Sequence, residues 1–267
     1  MIGVFDSGLG GLTVVREIFR QLPGRKVVYF GDTARTPYGT KSRQLIRKYS
    51  VQDAEFLMSK GAKAIVVACN TVSAHGVDAV RRHVDVPVFE VVTPAVKKAA
   101  GVTRGRVGVV GTRGTVGSGI YEKKMRSLAP ETKVYSEACP LFVPLVEEGW
   151  ADKPEAGSIA RDYLRPLKLR KIDTLILGCT HYPFLRHVIR KAVGSDMNLV
   201  DPAYETVQEL AEYLKMNSSF DEVVSRGSNT FYVSDRTEHF TELASKWLGR
   251  NVSVRAVSFE RQALQKV

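Results

Sequence analysis

Two stretches of this sequence share one form: Ala64-Ile65-Val66-Val67-Ala68-Cys69-Asn70-Thr71 and Thr174-Leu175-Ile176-Leu177-Gly178-Cys179-Thr180-His181. Each is a short apolar run, then a small residue, a cysteine and a polar pair. Runs this short, rich in Val and Ile, read as strands covered on both faces. Such strands belong to parallel sheets, and open α/β sheets bind ligands just beyond the carboxyl ends of their strands. A cysteine at each strand end therefore stands at the mouth of its own sheet. Two similar halves facing each other would put both thiols on opposite walls of one cleft.

Similar runs recur at Ile2–Phe5, Lys26–Phe30, Val86–Val92, Arg106–Gly111, Val134–Ala138, Leu199–Val200 and Thr230–Val233. Helical spacing marks Leu12–Gln21, Thr40–Lys60, Ser118–Ser127, Pro154–Arg165, Phe184–Val193, Ala203–Lys215 and Glu238–Leu248. Apolar strands alternating with amphipathic helices give an α/β class with mainly parallel sheets. No linker rich in Pro, Gly or Ser divides the chain, so boundaries rest on pattern, with a break at Thr93-Pro94 and a return after Asp201-Pro202. The expectation is a discontinuous first domain, residues 1–93 plus 206–267, enclosing a second of residues 94–205.

The 267 residues are 44% hydrophobic and 25% charged, as in ordinary soluble proteins. No stretch reaches the roughly 18 to 20 apolar residues of a membrane span. The start, Met1-Ile2-Gly3-Val4-Phe5-Asp6, has neither the basic region nor the cleavage site of a secretory signal, so a cytoplasmic location is expected. Three cysteines with no CxxC pair argue against a disulfide framework. The net charge of +11 attracts anions through its long-range field. Its basic residues are dispersed and no nucleic-acid motif accompanies them, so a solvated basic face is expected rather than specific nucleic-acid binding.

Removing a proton from the α-carbon of an amino acid requires a base held close, with water excluded. Inversion requires a second group on the opposite face to return one. Two cysteines can do this, one as thiolate and one as thiol, but a free thiol is only slightly ionised at neutral pH. Each needs a neighbour that can hold or take its proton. His181, two residues after Cys179, and Asp6, at the end of the first strand, are the candidates. Cys139, between Ala138 and Pro140, has no comparable company and reads as structural.

Other segments leave alternatives open. Asp6-Ser7-Gly8-Leu9-Gly10-Gly11-Leu12-Thr13 is a glycine-rich turn opening a helix, a place for a carboxylate or phosphate, without the Gly-Lys-Ser/Thr of a P-loop. Gly111–Gly117 lacks the GxGxxG spacing and reads as a plain loop into Ser118–Ser127. Pro37-Tyr38-Gly39 is a turn able to offer N–H groups, or a simple loop. His75, His83, His187 and His239 have no partners visible in sequence and read as surface or helix-side residues. Zinc on Cys69, Cys179 and His181 lacks the close-spaced ligand pairs of structural sites. Three functions therefore stand beside one another: a two-thiol racemase, a metal-dependent hydrolase, and a non-enzymatic binder of small acids or nucleic acid.

The chain resembles the glutamate racemases almost end to end. The resemblance is carried by Gly3-Val4-Phe5-Asp6-Ser7-Gly8-Leu9-Gly10-Gly11, Gly31-Asp32, Pro37-Tyr38-Gly39, Ala68-Cys69-Asn70-Thr71, Val109-Val110-Gly111-Thr112 and Gly178-Cys179-Thr180-His181-Tyr182-Pro183. His181 separates it from the related aspartate racemases, which usually carry an acidic residue there. The resemblance implies two pseudo-symmetric, doubly wound α/β domains with the active site between them. It implies cofactor-independent interconversion of L- and D-glutamate, supplying D-glutamate for peptidoglycan, and often a homodimer. By motif, Cys69 would deprotonate D-glutamate with help from Asp6, and Cys179 would deprotonate L-glutamate with help from His181. Ser7, Asn70, Thr71 and Thr180 would bind the ammonium and carboxylate groups, and Tyr38 and Gly39, beside Pro37, would hold a carboxylate partly through the backbone. Glu147 matches a further acidic site residue of the family. The strongly basic surface departs from many relatives but disturbs no motif position.

Overall fold

The computed structural model describes residues 1–257; residues 258–267 of the expected first domain lie outside the described residues. Its strands are β1 (Ile2–Asp6), β2 (Val27–Gly31), β3 (Ala64–Val67), β4 (Val88–Glu90), β5 (Arg106–Gly111), β6 (Lys133–Ala138), β7 (Thr174–Gly178), β8 (Asn198–Val200), β9 (Thr230–Val233) and β10 (Val254–Ala256). They form two parallel sheets, one six-stranded in the order β10-β9-β2-β1-β3-β4 and one four-stranded in the order β6-β5-β7-β8. The inner strands β2-β1-β3-β4 and β6-β5-β7-β8 follow the same winding. β3 is thus the counterpart of β7, and the two cysteines follow equivalent strands. β9 and β10 extend only the first sheet.

In each sheet the winding reverses between the first strand and the third, β1 and β3 in one, β5 and β7 in the other. A crevice opens beyond the carboxyl ends at that switch. Register fixes what reaches it. Phe5 pairs with Val67, and the N–H of Ala68 donates to the Phe5 carbonyl at 3.0 Å, so Asp6 and Cys69 leave neighbouring strands at one level. Gly111 pairs with Gly178, which does the same for Thr112 and Cys179.

The continuous apolar runs exist because helices cover both faces of the sheets. All residues of β1, β2, β3 and β7 are buried. Each fully buried Val, Ile, Leu or Phe contributes roughly 1.5–3 kcal/mol against exposure. One apolar cluster joins Val4 and Tyr29 of the first sheet to Val110 and Leu177 of the second, so the halves share a core. The chain crosses between the sheets along Val92–Val102 and returns along Pro202–Met216.

Several local expectations change. Val86–Val92 is a strand only at Val88–Glu90, because the buried Glu90 carboxylate accepts the N–H groups of Val92 (2.6 Å) and Thr93 (3.0 Å) and starts the helix Val92–Val102. The Gly111–Gly117 segment is not a plain loop. Thr112 accepts the Thr115 N–H at 3.2 Å and caps a helical turn, Arg113–Gly117, before Gly119 reverses the chain at φ +62° into Ile120–Leu128. The helix expected from Thr40 begins at Arg43, where Ser42 caps it. Among the described residues no helix is long and apolar enough to cross a membrane.

Candidate active site

The two crevices meet in one cavity of about 270 Å³. The first half contributes Ser7, Thr36–Thr40 and Cys69–Thr71; the second contributes Thr112, Arg113, Pro140, Val143, Pro144, Glu147 and Cys179–His181. Of the residues singled out from sequence, Ser7, Pro37, Tyr38, Gly39, Cys69, Asn70, Thr71, Glu147, Cys179, Thr180 and His181 all line it. Asp6 lies behind the wall, 1% exposed.

Each of the two cysteines is 6% exposed, but their companions differ. The Cys69 sulfur donates to the Ser7 hydroxyl at 3.7 Å. Burial, then the charge of Asp6, push this thiol up to about 12. The Cys179 sulfur lies 3.9 Å from His181 Nδ1, and His181 Nε2 meets Glu147 Oε1 at 2.8 Å. Burial works against an imidazolium here, yet the bonds to Cys179 and Glu147 outweigh it and raise His181 to about 10. Burial likewise pushes Glu147 upward, and its bond to His181 prevails and holds it below the usual carboxylate range. The raised histidine and the lowered carboxylate suit a charged pair, with the ring Nδ1 facing the sulfur. The helix Glu238–Leu248 backs this pair: the Trp247 ring stands edge-on to His181 at 6.0 Å, and His239 Nε2 meets the Glu147 carbonyl at 3.0 Å.

Asp6 explains the glycine-rich turn. Its Oδ1 accepts the Gly8 N–H at 3.0 Å, and the Gly11 N–H also bonds to its carboxyl group. Its Oδ2 accepts the Thr180 hydroxyl at 3.4 Å, a link from the second half to the first. The turn thus spends these donors on an internal carboxyl group rather than a ligand. Burial raises Asp6 above its ordinary value, against the nearby His181 charge and these hydrogen bonds. Gly10 and Gly11 are glycines for lack of room. A Cβ at Gly10 would stand 2.2 Å from Thr180 Oγ1 and 2.6 Å from His181 Nδ1, and one at Gly11 would stand 2.5 Å from the Asp6 Cβ.

Asn70 is oriented from across the cleft. The Tyr121 hydroxyl donates to Asn70 Oδ1 at 2.6 Å in a buried place, which leaves the amide N–H groups for the cavity side. Thr71 Oγ1 meets Thr112 Oγ1 at 3.0 Å and Thr115 Oγ1 at 3.3 Å, closing the seam between the halves. Sequence reading missed Thr36, Thr40, Thr112, Arg113, Pro140, Val143 and Pro144 as lining residues. Thr112 alone carried a signal: it follows β5 as Ser7 follows β1. Cys139 is fully buried, its sulfur directed to the Glu137 carbonyl at 3.7 Å. Among the described residues no group of three or more His, Cys, Asp or Glu side chains is arranged to hold a metal ion.

A model of the Asp/Glu/hydantoin racemase family matches residues 2–210. A glutamate racemase of Geobacter metallireducens is 46% identical over 263 residues, 98% of this chain and 97% of the relative. Among solved structures, a glutamate racemase isoform of Bacillus anthracis matches with a TM-score of 0.91 at 39% identity, covering 97% of both chains. A glutamate racemase of Francisella tularensis, solved in complex with D-glutamate, matches with a TM-score of 0.89 at 37% identity, covering 97% of this chain and 98% of that one.

Proposed function

The chain belongs to the Asp/Glu/hydantoin racemase family, and on that premise we propose that it interconverts L- and D-glutamate through Cys69 and Cys179. The observation that carries the reading is the placement of two thiols, from equivalent strand ends of two sheets, in the lining of one cavity. Relatives that are glutamate racemases over nearly their whole length supply the substrate.

In this reading one sulfur, as thiolate, takes the α-proton while the other, as thiol, delivers a proton to the opposite face. The carbon inverts, and the two sulfurs exchange protonation states. Cys179 takes the proton of L-glutamate, with the His181–Glu147 pair as its partner. Cys69 takes that of D-glutamate, with Asp6 as the group able to receive the thiol proton. Cys69 cannot hold a thiolate unaided, since burial keeps it protonated. Ser7, Asn70, Thr71 and Thr180 bind the ammonium and α-carboxylate, and the Pro37–Gly39 wall receives a carboxylate. No step requires a cofactor. The reading extends to two domains, residues 1–93 with 206–267 and residues 94–205, and to a cytoplasmic homodimer that supplies D-glutamate for peptidoglycan.

The protein incubated with L-glutamate in heavy water should form D-glutamate carrying deuterium at the α-carbon. Cys69→Ser and Cys179→Ser should each abolish racemisation. Absence of exchange in the reduced wild-type protein sinks the activity, and turnover retained in either variant sinks the two-thiol mechanism.

A further inference from the structure

Behind the Pro37–Gly39 wall lies a buried cluster that the proposed reaction does not use. Asp32 follows β2, Arg35 ends the turn Thr33–Arg35, Tyr38 opens the turn Tyr38–Thr40, and Asp53 sits within the helix Arg43–Ser59. Both carboxyl groups are 0% exposed and Tyr38 is 1% exposed. Arg35 reaches Asp32 Oδ2 through Nε at 2.6 Å, Asp53 Oδ1 through Nη2 at 3.0 Å and Gln52 Oε1 through Nη1 at 2.6 Å. The Ser234 hydroxyl donates to Asp32 Oδ1 at 2.8 Å. The Tyr38 hydroxyl touches two carboxyl oxygens, Asp32 Oδ2 and, at 3.1 Å, Asp53 Oδ2.

A phenol has one hydrogen to give. It can serve only one of two ionised carboxylates, and the other contact would set lone pair against lone pair. The second contact becomes a hydrogen bond if that carboxyl group carries a proton and donates it to the phenol oxygen. Charge counting among the described residues agrees: two fully buried carboxylates against one guanidinium would leave a net negative charge. Asp32, with Ser234, Arg35 and Tyr38 as donors, is the better supplied. Burial and the charge of Asp32 push Asp53 well above the usual carboxylate range, against the pull of Arg35.

We propose that Asp53 is a protonated positioning residue, whose acid O–H donates to Tyr38 and so fixes the Pro37–Gly39 wall of the cavity. Among the described residues Arg35 and Tyr38 are the ionisable groups hydrogen-bonded to it, and Asp32 and Asp6 act on it through their charges. Neither Asp32 nor Asp53 lines the cavity, so the Tyr38 hydroxyl is turned away from it. The wall then meets a ligand mainly through main chain, whose aim is as good as the anchorage of the Tyr38 ring. This role rests on the glutamate-racemase reading; the protonation state does not.

Asp53→Asn keeps the shape, offers Tyr38 an N–H donor and leaves Arg35 an acceptor. Asp53→Ala removes all three. The Asn variant should keep KM for glutamate within about threefold of wild type with kcat unchanged, while the Ala variant should raise KM about tenfold, the value of one lost hydrogen bond, with a smaller change in kcat. If the Ala variant fails to fold, the Asn variant and a spectrum decide. The infrared difference between wild type and Asp53→Asn should contain the carbonyl band of an un-ionised carboxylic acid, whether or not the protein turns over. A missing band, or an Asn variant that loses glutamate affinity, overturns the proposal. A wild-type protein that shows the band but racemises no glutamate overturns the functional reading instead.

Discussion

Gly10→Ala adds one methyl group at the point where the first half presses on the loop that carries Thr180 and His181. No positive φ is needed at Gly10, so alanine meets no backbone penalty and only space decides. The new Cβ would stand 2.2 Å from Thr180 Oγ1, 2.6 Å from His181 Nδ1 and 2.7 Å from His181 Cε1. Ordinary contact begins near 3.4 Å, so the Thr180 and His181 side chains must give way by about an ångström. Both contacts they make have little slack: His181 Nδ1 is 3.9 Å from the Cys179 sulfur, and Thr180 Oγ1 is 3.4 Å from Asp6 Oδ2. A retreat of that size breaks both. Misplacement of a reacting group by about 1 Å costs on the order of 10²-fold in rate, about 2.7 kcal/mol of barrier. Overpacking takes roughly 1–3 kcal/mol from stability as well. The assay is racemisation of each enantiomer followed by circular dichroism, with melting temperature in parallel. A folded Gly10→Ala protein whose kcat/KM stays within about threefold of wild type would refute the account of this turn as a steric clamp on the catalytic loop.

Three further changes test separate parts of the structure. Tyr121→Phe leaves Asn70 Oδ1 without its buried donor, at about 1–3 kcal/mol, and should lower kcat/KM roughly tenfold; an unchanged kcat/KM would argue against the orientation of Asn70 by Tyr121. Glu147→Gln removes the carboxylate that helps to raise His181. A raised histidine stabilises the fold fully below its ordinary value near 6.5 and loses that contribution between there and about 10, so with the histidine less raised the variant's melting temperature should fall by less across that window and level off at lower pH than wild type. Coincident profiles would exclude the pairing. Gly101→Ala, in the helix Val92–Val102 with open space around the added Cβ, should stabilise the protein by about 0.5 kcal/mol in denaturant titration; a loss would show that its surroundings are misread.

What the sequence reveals of the fold is what local physics decides. The strands were legible because parallel strands buried on both faces are continuously apolar, and the repeated cysteine setting marked β3 and β7 as counterparts. The end of β4 was not, because Val91 and Val92 suit strand and helix alike; the Glu90 carboxylate, turned onto the helix N–H groups, settles it. The strand at Val254–Ala256 escaped notice as a short edge with only Val254 buried. Within the site, Cys69, Cys179 and His181 stand at strand ends and so announce themselves. Asp32, Arg35 and Asp53 acquire their role only when the helix Arg43–Ser59 packs behind the Pro37–Gly39 wall. No spacing records that contact.

The two enantiomers of glutamate have equal free energy in water, so the proposed reaction has an equilibrium constant of one. kcat/KM must then be the same in both directions, however unlike the two thiols are. Inequality between them must appear elsewhere, most directly in the free enzyme. Cys69 and Cys179 have equal exposure, 6% each, so access does not separate them. Their companions do: Cys69 is raised to about 12 by burial beside Asp6, whereas Cys179 has the His181 nitrogen at 3.9 Å. The thiolate is the nucleophile toward an alkylating reagent. Near pH 8 roughly one Cys69 in 10⁴ would be ionised, so iodoacetamide should label Cys179 well before Cys69. Labelling of Cys69 should also rise about tenfold per pH unit. Peptide mapping that finds both sulfurs modified at one rate near neutral pH would mean that the His181–Glu147 pair does not distinguish the thiols, and the division of labour between them would fall.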